Sequence, residues 1–209
     1  SNSSINNYIK VKNHRVNYLN KNDFLSKNSS KHTQGIIIEF SANINQELRS
    51  DNLLNENICY IIIDQINDPQ NLGQIIRTCE CAGIDGIILP KHGSVHITNT
   101  VLQVSQGAFE NLDLFIVTNI NQTINELKDN GFWIIGMENS IESKNWYDMD
   151  YKKRIAMVFG SESKGIRKLV KKSCDFLSTI PMQGKTNSLN VSASISAVVF
   201  ERLRQLVSK

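Results

Sequence analysis

The chain changes character near residue 58. Residues 1–34 are rich in Asn, Ser and Lys and poor in apolar side chains, and residues 43–57 are polar again. Between them, Ile36-Ile37-Ile38-Glu39-Phe40 predicts a short strand. From Cys59 onward, apolar runs alternate with helical patterns. Cys59 to Ile63, ending on Asp64, is apolar throughout and predicts a strand buried on both faces. Asn71 to Ala82 has helical spacing, with Leu72, Ile75, Ile76 and Cys79 on one face and Gly83 as its stop. Gly86 to Leu89 predicts the next buried strand, closed by Pro90. Helices are expected over 98–106, 121–129, 166–172 and 188–206, and strands over 112–117, 132–137, 154–159 and 176–180. Alternation of this kind predicts an α/β fold, a mostly parallel sheet flanked by helices. The expected division is a basic N-terminal segment and linker, 1–57, followed by the α/β domain, 58–209.

Composition narrows the class. A length of 209 residues suits one domain with an appendage, at about 150 residues per domain. No run of about 18 apolar residues predicts a membrane span, and the N-terminus has no signal-type apolar segment. Four cysteines, at 59, 79, 81 and 174, make a poor disulfide framework for this length. A cytoplasmic, reducing setting is expected. The net charge of +3 hides an asymmetry. Lys10, Lys12, Arg15, Lys21, Lys27 and Lys31 face only Asp23 in residues 1–35, which is 6 − 1 = +5 and leaves −2 for the remainder. Lys164, Arg167, Lys168, Lys171 and Lys172 form a second basic cluster. A solvated helix face explains either cluster alone; together they point to a polyanion, nucleic acid first.

Several chemistries are missing. No G-x-G-x-x-G follows a strand, and Gly184-Lys185-Thr186 lacks the earlier P-loop glycine, since position 179 is Thr. No G-x-S-x-G elbow is present. Cys79 and Cys81 point apart on a helix, and His92 and His96 lie in a loop without further ligands, so no metal is assigned.

Three segments place polar groups in loops at strand ends, where open α/β sheets hold their ligands. The first runs from Asp64 through Asp68-Pro69, Asn71 and Gly73 to Arg77. Here Asn71 is an N-cap in the simplest reading, and Arg77 offers a fork of donors for a phosphate or hydroxyl. The second is Gly160-Ser161-Glu162-Ser163-Lys164-Gly165, in which Gly lets a ligand approach the backbone. The third is Ile180-Pro181-Met182-Gln183-Gly184 through Ser188-Leu189-Asn190-Val191-Ser192, with Ser188 as the cap of the last helix.

In this order the three segments resemble the signature of the SpoU/TrmH family of RNA 2′-O-ribose methyltransferases, in the SPOUT superfamily. The matching patterns are D-x-x-x-D-P-x-N-x-G-x-x-x-R, G-x-E-x-x-G and I-P-M-x-G-x-x-x-S-L-N-V-S, over about residues 58–207. Lys31-His32-Thr33-Gln34-Gly35-Ile36 is similar to the linker of the branch that methylates a 23S rRNA guanosine, with Thr33 interrupting its usual H-Q-G. Residues 1–57 would then be what remains of a substrate-recognition domain. The resemblance implies a C-terminal trefoil knot, which periodicity could not reveal. It implies S-adenosylmethionine as cofactor, held by Gly160, Ile180 and Leu189 with Met182, Gly136 and Met137 nearby. It implies a homodimer packed through the last helix. Catalysis falls to Arg77, which would fix the ribose hydroxyl and its 3′ phosphate and lower the hydroxyl's pKa. Asn71, Glu162, Ser188 and Asn190 would orient it. RNA phosphates would meet the N-terminal arm and Lys164, Arg167, Lys168 and Lys171. Expected activity is methylation of 23S rRNA; the alternatives are a tRNA 2′-O-methyltransferase and a catalytically silent RNA-binding module.

Overall fold

The computed structural model describes residues 15–27, 35–39, 48, 56–140, 143–161 and 164–208. The chain divides into two compact units, residues 1–42 and 43–209. In the first, α1 (Lys21–Lys27) buries none of its residues. Residues 36–39 form no strand, contrary to the expectation for 36–40; Phe40 lies outside the described residues. The run has hydrophobic residues in sequence, yet Ile36, Ile37 and Ile38 are all exposed and have no ladder partner among the described residues.

The second unit is a seven-stranded sheet in the order β3-β2-β1-β6-β4-β7-β5. Its strands are β1 (Cys59–Asp64), β2 (Gly86–Pro90), β3 (Asp113–Val117), β4 (Trp133–Met137), β5 (Lys144–Asn145), β6 (Ile155–Gly160) and β7 (Phe176–Thr179). Every pairing is parallel. Parallel neighbours need crossovers; α2 (Pro69–Cys81), α3 (Asn99–Ser105), α4 (Ile120–Asp129) and α5 (Lys168–Lys172) lie in four of them, and α6 (Val191–Val207) follows the last strand. Strand β1 shows why its residues are apolar without a break. Cys59, Ile61 and Ile63 enter one core with Leu72, Ile75, Ile76, Ile195 and Val199. Tyr60 and Ile62 enter the other with Ile120, Ile124, Leu127 and Val170. Helices cover both faces, so neither strand face reaches water, and each buried Ile contributes roughly 1.5–3 kcal/mol.

Two helix caps differ from expectation. Helix α2 begins at Pro69, with Asp68 as its N-cap: the Asp68 carboxylate accepts from Gln70 N at 2.9 Å. Proline, lacking an N–H, suits the first helical position, which places Asn71 inside the helix with a buried side chain. Helix α6 begins at Val191, capped by Asn190, not by Ser188. Asn190 Oδ1 accepts from Ser192 N at 2.9 Å. Gly73 has a packing reason: a Cβ there would lie 2.6 Å from Cβ of Val104, so glycine lets α2 and the end of α3 touch.

Candidate active site

The C-terminal ends of four strands share one rim of the sheet. Asp64 pairs with Gly160, Met137 with Phe159, and Met137 with Ser178. A cleft of about 250 Å³ opens at this rim, the ligand end of a parallel sheet. Met137, Gly160, Ile180, Met182 and Leu189 line it, five of the six residues expected to hold a cofactor. Gly136 does not. A Cβ on it would lie 2.9 Å from Cys174 Sγ and 3.0 Å from Leu177 Cδ2, so its bareness serves sheet packing. Gly160 is bare for a similar reason. Any Cβ there would collide with the backbone of Gly165 and Ile166, so the close approach it permits is that of its own chain.

The cleft has a definite chemical character. Met137, Phe159, Ile180 and Leu189 give it apolar walls. Among the described residues no Lys or Arg lines it, and one carboxylate, Glu138, does. Ser178 lines the cleft with its hydroxyl buried and, like the buried Tyr151 hydroxyl, without a hydrogen-bond partner among the described residues. Buried hydroxyls without full partners retain capacity for a ligand's polar edge.

Beside the cleft the first and third motifs meet. Asn190 Nδ2 donates to Asn71 Oδ1 at 3.2 Å, across 119 positions of sequence. Ser192 Oγ lies 2.6 Å from Asn190 Oδ1 and 3.1 Å from Gln74 Oε1. One hydroxyl proton cannot serve both acceptors; the shorter contact takes it. One turn further, Ser196 Oγ meets Thr78 Oγ1 at 3.5 Å. A polar seam therefore runs between α2 and α6, and its upper end adjoins Leu189 and Val191 of the cleft. Arg77 sits beside this seam, three residues after Gln74 and so its neighbour on the helix surface. It is exposed, and its guanidinium has no ion pair among the described residues. Ser188 is exposed at the cleft mouth. Glu162 lies outside the described residues.

The basic cluster divides. Lys164 and Lys168 are exposed. Lys171 Nζ lies 3.7 Å from Glu138 Oε1. Arg167 is half-exposed and also tied down: its Nε and Nη2 reach Asp64 Oδ1 at 2.7 and 2.6 Å, and its backbone N donates to Asp64 Oδ2 at 2.8 Å. Asp64 is wholly buried. Sequence reasoning matched Asp64 to a motif without a role and assigned Arg167 to RNA; a basic run adjoining a glycine loop carries no mark of a partner 103 positions away. Glu138 was missed altogether, since it stands alone after a strand.

Thiol chemistry is closed off at the core. Burial pushes the Cys59 thiol up to about 12 and raises Cys79 well above its ordinary value. A thiol held protonated is not a nucleophile at neutral pH. Among the described residues no three His, Cys, Asp or Glu side chains gather as metal ligands, and no helix is long and apolar enough to cross a membrane.

A profile of the SpoU rRNA Methylase family matches residues 59–200. The chain belongs to that family. This SpoU-family chain is 41% identical over 167 residues to a protein of Staphylococcus saprophyticus assigned by inference as a TrmH family tRNA/rRNA methyltransferase, covering 80% of this chain and 65% of that one. It thus spans about two thirds of that relative's length. The AdoMet-bound rRNA methyltransferase of Sinorhizobium meliloti superposes with a TM-score of 0.68 at 26% identity, over 74% of this chain and 59% of the other. The TrmH/SpoU tRNA modifying enzyme of A. aeolicus gives 0.66 at 28% identity, over 74% and 79%. The family match begins at the first residue of β1 and ends inside α6, so it takes in the whole sheet, the cleft and the seam.

Proposed function

We propose that this chain binds S-adenosylmethionine in the strand-end cleft and methylates a ribose 2′-hydroxyl of RNA. The observation that carries this reading is the Asn190–Asn71 hydrogen bond. It brings the two motifs that bear Arg77 and Leu189 into one place beside the cleft. The residues present fit the cofactor. Apolar walls accept an adenine face and a thioether chain, and a cleft with a carboxylate and no described cation suits a sulfonium better than a phosphate. When bound, S-adenosylmethionine supplies an electrophilic methyl group. The chain's own residues do the rest. Arg77, exposed at the seam, donates to the ribose hydroxyl oxygen and the adjoining phosphate; a guanidinium has no acceptor and therefore acts by charge and positioning. Asn71 and Asn190 hold the seam from which Arg77 projects, and Ser188 and Glu162 complete the ribose contacts. Holding the hydroxyl in line is itself a large part of the rate enhancement. Lys164 and Lys168 meet RNA phosphates, so affinity falls with salt.

The same reading extends to assembly and topology. Phe200 and Val207, seven residues apart, leave exposed apolar positions on one face of α6, which a second copy of the chain would cover. A trefoil knot is supported by the route of the chain: β6 pairs on one side of β4, β7 on the other, and the chain then returns as α6 onto α2. The preferred substrate is 23S rRNA, with tRNA as the second reading, since the relatives carry both names. Calorimetric titration with S-adenosylhomocysteine tests the cofactor site, with saturable binding expected. Incubation with labelled S-adenosylmethionine and separate rRNA and tRNA pools, followed by nucleoside analysis, tests the substrate. Label in a base instead of a ribose would overturn the 2′-hydroxyl assignment.

A further inference from the structure

We infer that Asp64 and Glu138 form a two-sided clamp on the chain leaving β6, and that Arg167 is part of this clamp and not a phosphate contact. The inference rests on the proposed cofactor site, whose wall this part of the chain supplies. Its basis is sheet order. Strand β6 lies between β1 and β4. Asp64 ends β1, level with Gly160; Glu138 follows the last residue of β4, one step past the Met137–Phe159 pair. Each neighbouring strand therefore delivers one carboxylate to the same level, on either side of the end of β6.

After Gly160 the chain doubles back. Gly165 N donates to Ser161 O at 2.9 Å, and Ser161 N to Gly165 O at 3.2 Å. The two amides that follow then point to the two carboxylates. Ile166 N donates to Glu138 Oε2 at 3.2 Å, and Arg167 N to Asp64 Oδ2 at 2.8 Å. The Arg167 guanidinium closes on the other Asp64 oxygen, and Lys171 on the other Glu138 oxygen. Charge-assisted hydrogen bonds to a wholly buried carboxylate are the strong kind. Gly160 permits the close return, because any Cβ would strike Gly165 and Ile166. Ser161, Gly165 and Glu138 all line the cleft, so the clamp sets the position of one cleft wall. Asp64, Glu138 and Arg167 are positioning residues; they act on the ligand through that wall.

The test uses the full chain with Arg167→Gln, Asp64→Asn and the double variant, which leaves no buried charge unpaired if the single Arg167 change fails to fold. Three readouts are taken: S-adenosylhomocysteine affinity by calorimetry, poly(U) affinity at two salt concentrations, and amide exchange of the ligand-free protein. The clamp predicts a loss of S-adenosylhomocysteine affinity of about tenfold or more in each single variant, with the double variant no worse than the singles. It predicts faster exchange at Ile166 and Arg167 with β1 and α6 unchanged, and poly(U) binding and salt slope as in the wild type. Unchanged S-adenosylhomocysteine affinity together with a weaker, less salt-dependent poly(U) interaction would overturn it and return Arg167 to the RNA surface. Wild-type protein that binds no S-adenosylhomocysteine would refute the cofactor reading, while exchange at the two amides would still decide the clamp.

Discussion

The two rims of the sheet use one device for different ends. At the N-terminal rim, Asp85 and Asp175 stand just before β2 and β7. Asp85 Oδ2 accepts from Cys59 N at 2.8 Å, and Asp85 N donates back to Cys59 O at 3.1 Å. Asp175 does the same with Ile134, at 2.8 Å in both directions, and pairs with Lys128 at 2.7 Å. These carboxylates hold the first amide of β1 and the second of β4, and neither lines the strand-end cleft. At the C-terminal rim, Asp64 and Glu138 also accept backbone amides, but those amides belong to the chain that walls the cleft. A carboxylate on a strand end is thus a stability element or a site element according to which chain it holds, and parallel strands put all the site elements at one end.

The comparison can be broken most severely at Gly160. Gly160→Ala forces a methyl group into backbone, where no side chain can yield. A cost of about 3 kcal/mol and loss of detectable S-adenosylhomocysteine binding are expected, read by chemical denaturation and calorimetry. Next come the N-terminal rim carboxylates. Asp85→Ala and Asp175→Ala each leave a buried amide unpaired and should cost about 1–3 kcal/mol, with S-adenosylhomocysteine affinity unchanged. Weakened affinity in either would show that the rims are not separate in function. Asn71→Ala cuts the link to Asn190; about 1 kcal/mol of stability and most of the methyl transfer should go, while S-adenosylhomocysteine still binds.

A further effect concerns pH. Cys59 and Cys174 are both raised to about 12 from an ordinary 9.0, chiefly by burial. In the unfolded chain these thiols ionise first, so the unfolded state binds fewer protons. Stability should therefore fall as pH rises from about 9 toward 12. Cys59→Val should flatten that slope in pH-dependent melting. Iodoacetamide at mildly alkaline pH should label the exposed Cys81 before the buried Cys59 and Cys79.

The pattern of apolar runs determined the parallel α/β core, because a strand covered on both faces cannot alternate and a crossover helix must show one apolar stripe. Turn and cap positions were legible less well. Pro69 starts α2 two residues before Asn71, and Asn190 displaces Ser188 as the cap, since local hydrogen-bond geometry selects among neighbouring polar residues. The family resemblance implied six cofactor residues, and five of those six line one cavity. Their spacing could not say that Gly136 and Gly160 are bare for the protein's own packing, which depends on what lies across from them. Nor could it say that the half-exposed Arg167 guanidinium is paired with the buried Asp64 carboxylate. Charge in a sequence is only a count; whether a cation also finds a buried carboxylate is decided when β6 is laid between β1 and β4, and that order is a property of the tertiary fold alone.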